Sequence, residues 1–106
     1  MKLLFDHGTP SPLRLHLTEH SVDRSAEKGW ELLENGDLIQ KAEEEGYEVI
    51  VTTDQSMQYQ QNPADRRLAI VVLMSTAWPR VKNCIQEIRT AIEDVKPGQV
   101  IEVPIH

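Results

Sequence analysis

The chain has 106 residues, 40% hydrophobic and 26% charged, with a net charge of −6. That length gives one domain with one hydrophobic core. The single cysteine excludes an internal disulfide, and the acidic balance argues against a surface coated in positive charge for nonspecific nucleic-acid binding.

The opening MKLLFDHG has only a short apolar run before an acid, so neither a leader nor a membrane span is expected there and a cytoplasmic location is. Residues 2–5 (KLLF) predict a short buried strand that stops at Asp6. Gly8, Pro10 and Pro12 then break the chain. Thr9 or Ser11 is placed to cap a short helix with a proline in its first turn and Leu13 and Leu17 on its apolar face. Residues 20–25 (HSVDRS) read as a second strand. Residues 26–34 follow no clear period: Trp30, Leu32 and Leu33 demand burial, and the glutamates demand water. Trp30 is expected in the core or at a contact between two copies of the chain. Asn35 or Asp37 starts a helix that ends at Gly46, a residue suited to the left-handed C′ position. Its stripe is Leu38, Ile39 and Ala42, and Glu43, Glu44 and Glu45 are its solvated side.

Residues 48–53 (EVIVTT) predict a third strand, rich in β-branched residues. Residues 55–66 read as loop, or loop plus one helical turn. Residues 68–73 (LAIVVL) predict a strand buried on both faces. Thr76 with Pro79 opens the longest predicted helix, carrying Val81, Cys84, Ile85, Ile88, Ile92 and Val95 at helical spacing. Cys84 there reads as a small buried hydrophobe. Pro97-Gly98 ends the helix, and residues 99–103 (QVIEV) form a last, half-exposed strand. The alternation predicts a single α/β domain over residues 1–106, with a mainly parallel central sheet of about five strands covered by helices. Ligands of such sheets bind beyond the carboxyl ends of the strands, near the switch point of strand order.

Asp6 follows the first strand and Asp54 the third, so a parallel sheet brings both to one rim. Asp37, at the start of the helix after the second strand, joins them if the crossover is right-handed. Carboxylates that converge repel each other and are costly to desolvate. A divalent cation removes that cost. Mg²⁺ binds through one or two carboxylates and keeps waters, which leaves room for phosphate oxygens. A single acid after a strand or in a first helical turn is also often a turn or cap residue, and for Asp37 that is the simpler reading.

The order of motifs resembles a PIN-like domain, the family that includes the VapC-type toxin ribonucleases, and in particular its compact bacterial branch. MKLLFDHGTPSPL resembles that branch's strand ending in Asp and running into a helix. HSVDRS resembles its His-x-Val strand, NGDLIQKAEEEGYEVIVTTDQSM its helix, strand and Thr-x-Asp, and LAIVVL its next strand. The resemblance implies Mg²⁺- or Mn²⁺-dependent cleavage of RNA, with Asp6, Asp37 and Asp54 as catalytic and metal-binding acids, and a cognate antitoxin as partner. The chain departs from the pattern twice. His7-Gly8 stands where the branch commonly has Glu-Asn, and Ser56 stands where it often has a further Asp. His7 reads most simply as an exposed loop residue.

From Arg66 to Gln86 there is no acid but four cations, Arg66, Arg67, Arg80 and Lys82. Arg80 and Lys82 are expected to border the acidic rim as substrate-binding residues, and Arg66 and Arg67 to lie at the opposite end. Tyr59 and Asn62 could line the site, Trp78 could stack a base or pack a helix start, and Thr52 or Thr53 could cap the turn. A phosphoacceptor receiver domain fits poorly, because only one acid follows the first strand and the final segment EVPIH lacks a lysine. The stronger rival is a PIN-like fold kept as a binding or regulatory module.

Overall fold

The structure is a computed structural model that describes residues 1–59 and 67–106. Five short strands form one sheet: β1 (Lys2–Phe5), β2 (Ser21–Arg24), β3 (Val49–Thr52), β4 (Ala69–Leu73) and β5 (Val100–Val103). Their order is β2-β1-β3-β4-β5, and every pairing is parallel. The register aligns Leu3, Val49 and Ala69 on one face and Leu4, Ile50 and Ile70 on the other. Both faces are apolar because both are covered, the usual state of a parallel sheet. The sheet and its helical cover match the fold class expected from the sequence.

One face of the sheet, with Leu3, Phe5, Val51 and Val71, packs against Leu13 and Leu17 and against Val81, Ile88 and Ile92. The other, with Leu4, Ile50, Ile70 and Val72, packs against Leu38, Ile39 and Ala42. The latter three lie on α1 (Asn35–Glu44), followed by Gly46 at φ +83°. Trp30 is half-buried against this second cluster, edge-on to Tyr47 with ring centroids 6.1 Å apart. Leu32, by contrast, is 92% exposed and takes no part in the core.

Two helix expectations are corrected. The first helix is a 3-10 turn over Ser11–His16 whose N-cap is Pro10, with no side-chain cap. Thr9 lies before that cap position, and its hydroxyl donates instead to the Val51 carbonyl at 2.9 Å. The long helix is two: α2 (Trp78–Lys82) and α3 (Ile85–Asp94). The N–H groups of Asn83 and Cys84 reach back only three residues, to the carbonyls of Arg80 and Val81 at 3.1 and 2.9 Å, which tightens the turn between them. Helix α2 begins after Ala77, not at Thr76; the Ala77 N–H donates to the Ser75 hydroxyl at 3.1 Å.

The crossovers differ in hand. The α1 connection and the α2–α3 connection move along the sheet in the same direction, yet they lie on opposite faces. One therefore departs from the strong right-handed preference of parallel crossovers. As a result α2 and α3 share a face with the β1–β2 connection. The rings of His16 and Trp78 lie 5.9 Å apart, and Arg89 pairs with Glu19 at 3.2 Å. No helix among the described residues is long and apolar enough to cross a membrane.

Candidate functional site

The chain leaves β1 toward one edge of the sheet and β3 toward the other, so the switch point lies between these two neighbours. Asp6 and Thr52 stand at that point. The Asp6 N–H continues the ladder to the Val51 carbonyl at 3.0 Å, which fixes where its carboxylate emerges. One carboxylate oxygen of Asp6 accepts from its neighbour's N–H, that of His7, at 2.7 Å. The other accepts from the Thr52 hydroxyl at 2.8 Å. The same hydroxyl accepts from the Asp54 N–H at 3.0 Å. A fully buried threonine thus joins the two acids.

Asp54 is exposed and held by neutral groups. Asn35, the first residue of α1, donates its side-chain amide at 2.9 Å. Ser56 donates both its N–H, at 2.9 Å, and its hydroxyl, at 2.6 Å. The electrostatics of the pair diverge. Burial holds the Asp6 carboxyl above its ordinary range, opposed by the Thr52 and His7 hydrogen bonds and reinforced by the charge of Asp54. The Asn35 amide, and then Ser56, hold Asp54 below its ordinary range.

Asp37 is exposed in the first turn of α1 and hydrogen-bonds to neither acid. It sits two residues beyond Asn35, about 200° around the helix, so with Asn35 turned to Asp54 it faces elsewhere. The expected three-acid cluster is therefore a two-acid pair. Among the described residues, Asp6, Asp37 and Asp54 do not gather their oxygens within 4.8 Å of one another; Glu19, His20 and Glu93, at the other end of the sheet, form the one group of ligands that close.

A cleft of about 240 Å³ opens beside Asp6, lined by His7, Thr9, Ser11, Arg24 and Ser25. His7 is exposed, as expected. Gly8 holds φ +95°, and a Cβ there would come within 3.3 Å of the Thr53 hydroxyl. Arg24 was not singled out from the sequence. The register that pairs it with Phe5 carries it to the rim, and that register is set only when β2 docks on β1.

Arg80 and Lys82 are exposed on α2, which leaves the sheet from the carboxyl end of β4. Neither pairs with Asp6 or Asp54 among the described residues. Arg67 lies at the far end, lining a cavity of about 620 Å³ with Met1, Gly46 and Val95, as expected. The expectations for Asn62, Arg66 and the Tyr59 side chain fall outside the described residues. No family model, curated protein or solved structure matches the chain.

Proposed function

We propose that the Asp6–Thr52–Asp54 rim is a weak divalent-metal site of a PIN-like ribonuclease. The supporting observation is the shared Thr52 hydroxyl, which donates to the Asp6 carboxylate and accepts from the Asp54 N–H, keeping both acids at the switch point although like charges there carry a cost. The donors are all oxygens, the set that Mg²⁺ or Mn²⁺ prefers, and each carboxylate keeps lone pairs beyond its present hydrogen bonds. A bound ion would lower the pKa of a water and offset charge on a phosphate in transit.

In this reading Asp6 and Asp54 are the ligands, and Asp37 is left as a helix-dipole acid. Asn35 and Ser56 orient Asp54, and Thr52 sets its spacing from Asp6. Arg24, lining the adjoining cleft, takes the RNA phosphate, with Arg80 and Lys82 as outer cations. The exposed Leu32 beside Trp30 is the contact for a companion antitoxin or a second copy.

A second reading has its own observation. Neutral Asn35 and Ser56 surround Asp54 where more acids would strengthen a metal site. That favours a PIN-like binding module with little or no catalysis. The test is cleavage of single-stranded RNA in Mn²⁺. We expect slow cleavage that stops in chelator and is lost in Asp54→Asn with the fold intact. Cleavage that survives both would overturn the ribonuclease; RNA binding without cleavage would select the module.

A further inference from the structure

At the amino-end rim, remote from Asp6, the chain brings together two carboxylates and an imidazole. Glu19 and His20 end the β1–β2 connection, and Glu93 lies in the last turn of α3. One ligand atom from each lies within 4.8 Å of the other two. The His20 side chain is only 8% exposed, and its Nε2 has no hydrogen-bond partner. That nitrogen faces Glu19 Oε1 at 3.7 Å, too long for a hydrogen bond. A buried polar atom left without a partner is costly.

We propose that Glu19, His20 and Glu93 bind a zinc-class transition-metal ion. An imidazole with two carboxylates is a donor set such ions take, and three protein ligands leave a fourth position for water. The imidazole disfavours Mg²⁺ and Ca²⁺, which separates this site chemically from the all-oxygen rim at Asp6. Local charge agrees. Helix α3 ends with Glu93 and Asp94 in its last turn and no basic residue there, so two acids sit at the negative end of the helix dipole. Arg89, 3.2 Å from Glu19 Oε1, partly offsets them and orients that carboxylate.

Ligation needs the lone pair of Nε2, so the imidazole proton moves to Nδ1, 3.3 Å from the Met1 amino nitrogen. The ion would tie the β1–β2 connection to α3, which packs on the same face of the sheet.

The test is Zn²⁺ binding by the whole chain, read as bound metal after gel filtration and as melting temperature, with Co²⁺ absorption as a probe of geometry. We expect one Zn²⁺ per chain, a raised melting temperature and a tetrahedral Co²⁺ spectrum. Both Glu93→Gln, at an exposed position, and His20→Gln should lose all three readouts, while Asp6→Asn and His16→Ala keep them. No Zn²⁺ retained by the wild type would overturn the site, as would binding undiminished in Glu93→Gln. Loss of the Zn²⁺ effect in Asp6→Asn would also overturn it, by assigning the ion to the other rim.

Discussion

Asp6 and Asp54 carry the same chemical group, yet the fold treats them oppositely. Asp6 is half-buried and titrates high because burial disfavours its charge, whereas Asp54 is exposed and titrates low because amide and hydroxyl donors favour it. The sign of the pH effect follows. A carboxyl whose folded value lies above its unfolded one contributes stability at low pH and loses it as pH rises through the folded value. Ionised Asp6 therefore destabilises the metal-free protein near neutrality. Asp6→Asn should gain in melting temperature relative to wild type more at about pH 7 than at about pH 3, where Asp6 is already neutral. A difference that does not change with pH would show that the charge of Asp6 costs the fold nothing. The positions of both acids were legible, because an Asp that ends an apolar run marks a strand's carboxyl end. Thr52 was legible as a cap of the turn, and its hydroxyl does accept from the Asp54 N–H, but its bond to Asp6 and that of Asn35 to Asp54 were not. Which hydroxyl meets which acid depends on strand register and helix rotation, and neither is written in local spacing.

The five strands and α1 emerge from the sequence with ends shifted by a residue or two, because their apolar runs and stripe are strong. The break between α2 and α3 was hidden for a related reason. Val81, Cys84, Ile85 and Ile88 keep helical spacing through it, so the periodicity carries no mark of the interruption. The loop after β1 is more constrained than its composition suggests. Both Gly8 and Gly46 hold positive φ, but a side chain at Gly46 meets nothing within 4 Å, whereas one at Gly8 would press on Thr53 beside the acidic pair. Gly46→Ala should cost about 1 kcal/mol from backbone strain alone. Gly8→Ala should cost more, about 2–3 kcal/mol. Urea unfolding of the two variants checks the order; equal losses would mean that the contact with Thr53 yields freely.

For the molecule as a whole, the parallel sheet gathers polar groups at both ends. The carboxyl end holds Asp6, Thr52 and Asp54 with Arg24 beside them, and the amino end holds Glu19, His20 and Glu93. The second group could not be read from the chain. Glu93 meets His20 only because the α2–α3 crossover lies on the same face as the β1–β2 connection, and which of two crossovers departs from the usual hand has no signature in residue order. The two ends should answer to different ions, so each can be silenced alone. The most direct measurement is the melting temperature of the Glu93→Gln protein across a wide Mn²⁺ range, alone and combined with Asp6→Asn or Asp54→Asn. A ligand bound only to the folded state adds about 2.7 kcal/mol at about 100 times its dissociation constant. We expect Mn²⁺ to raise the melting temperature of Glu93→Gln and to leave both combined variants unchanged. An unchanged melting temperature in Glu93→Gln itself, or a rise that survives both aspartate substitutions, would contradict a metal site at Asp6 and Asp54.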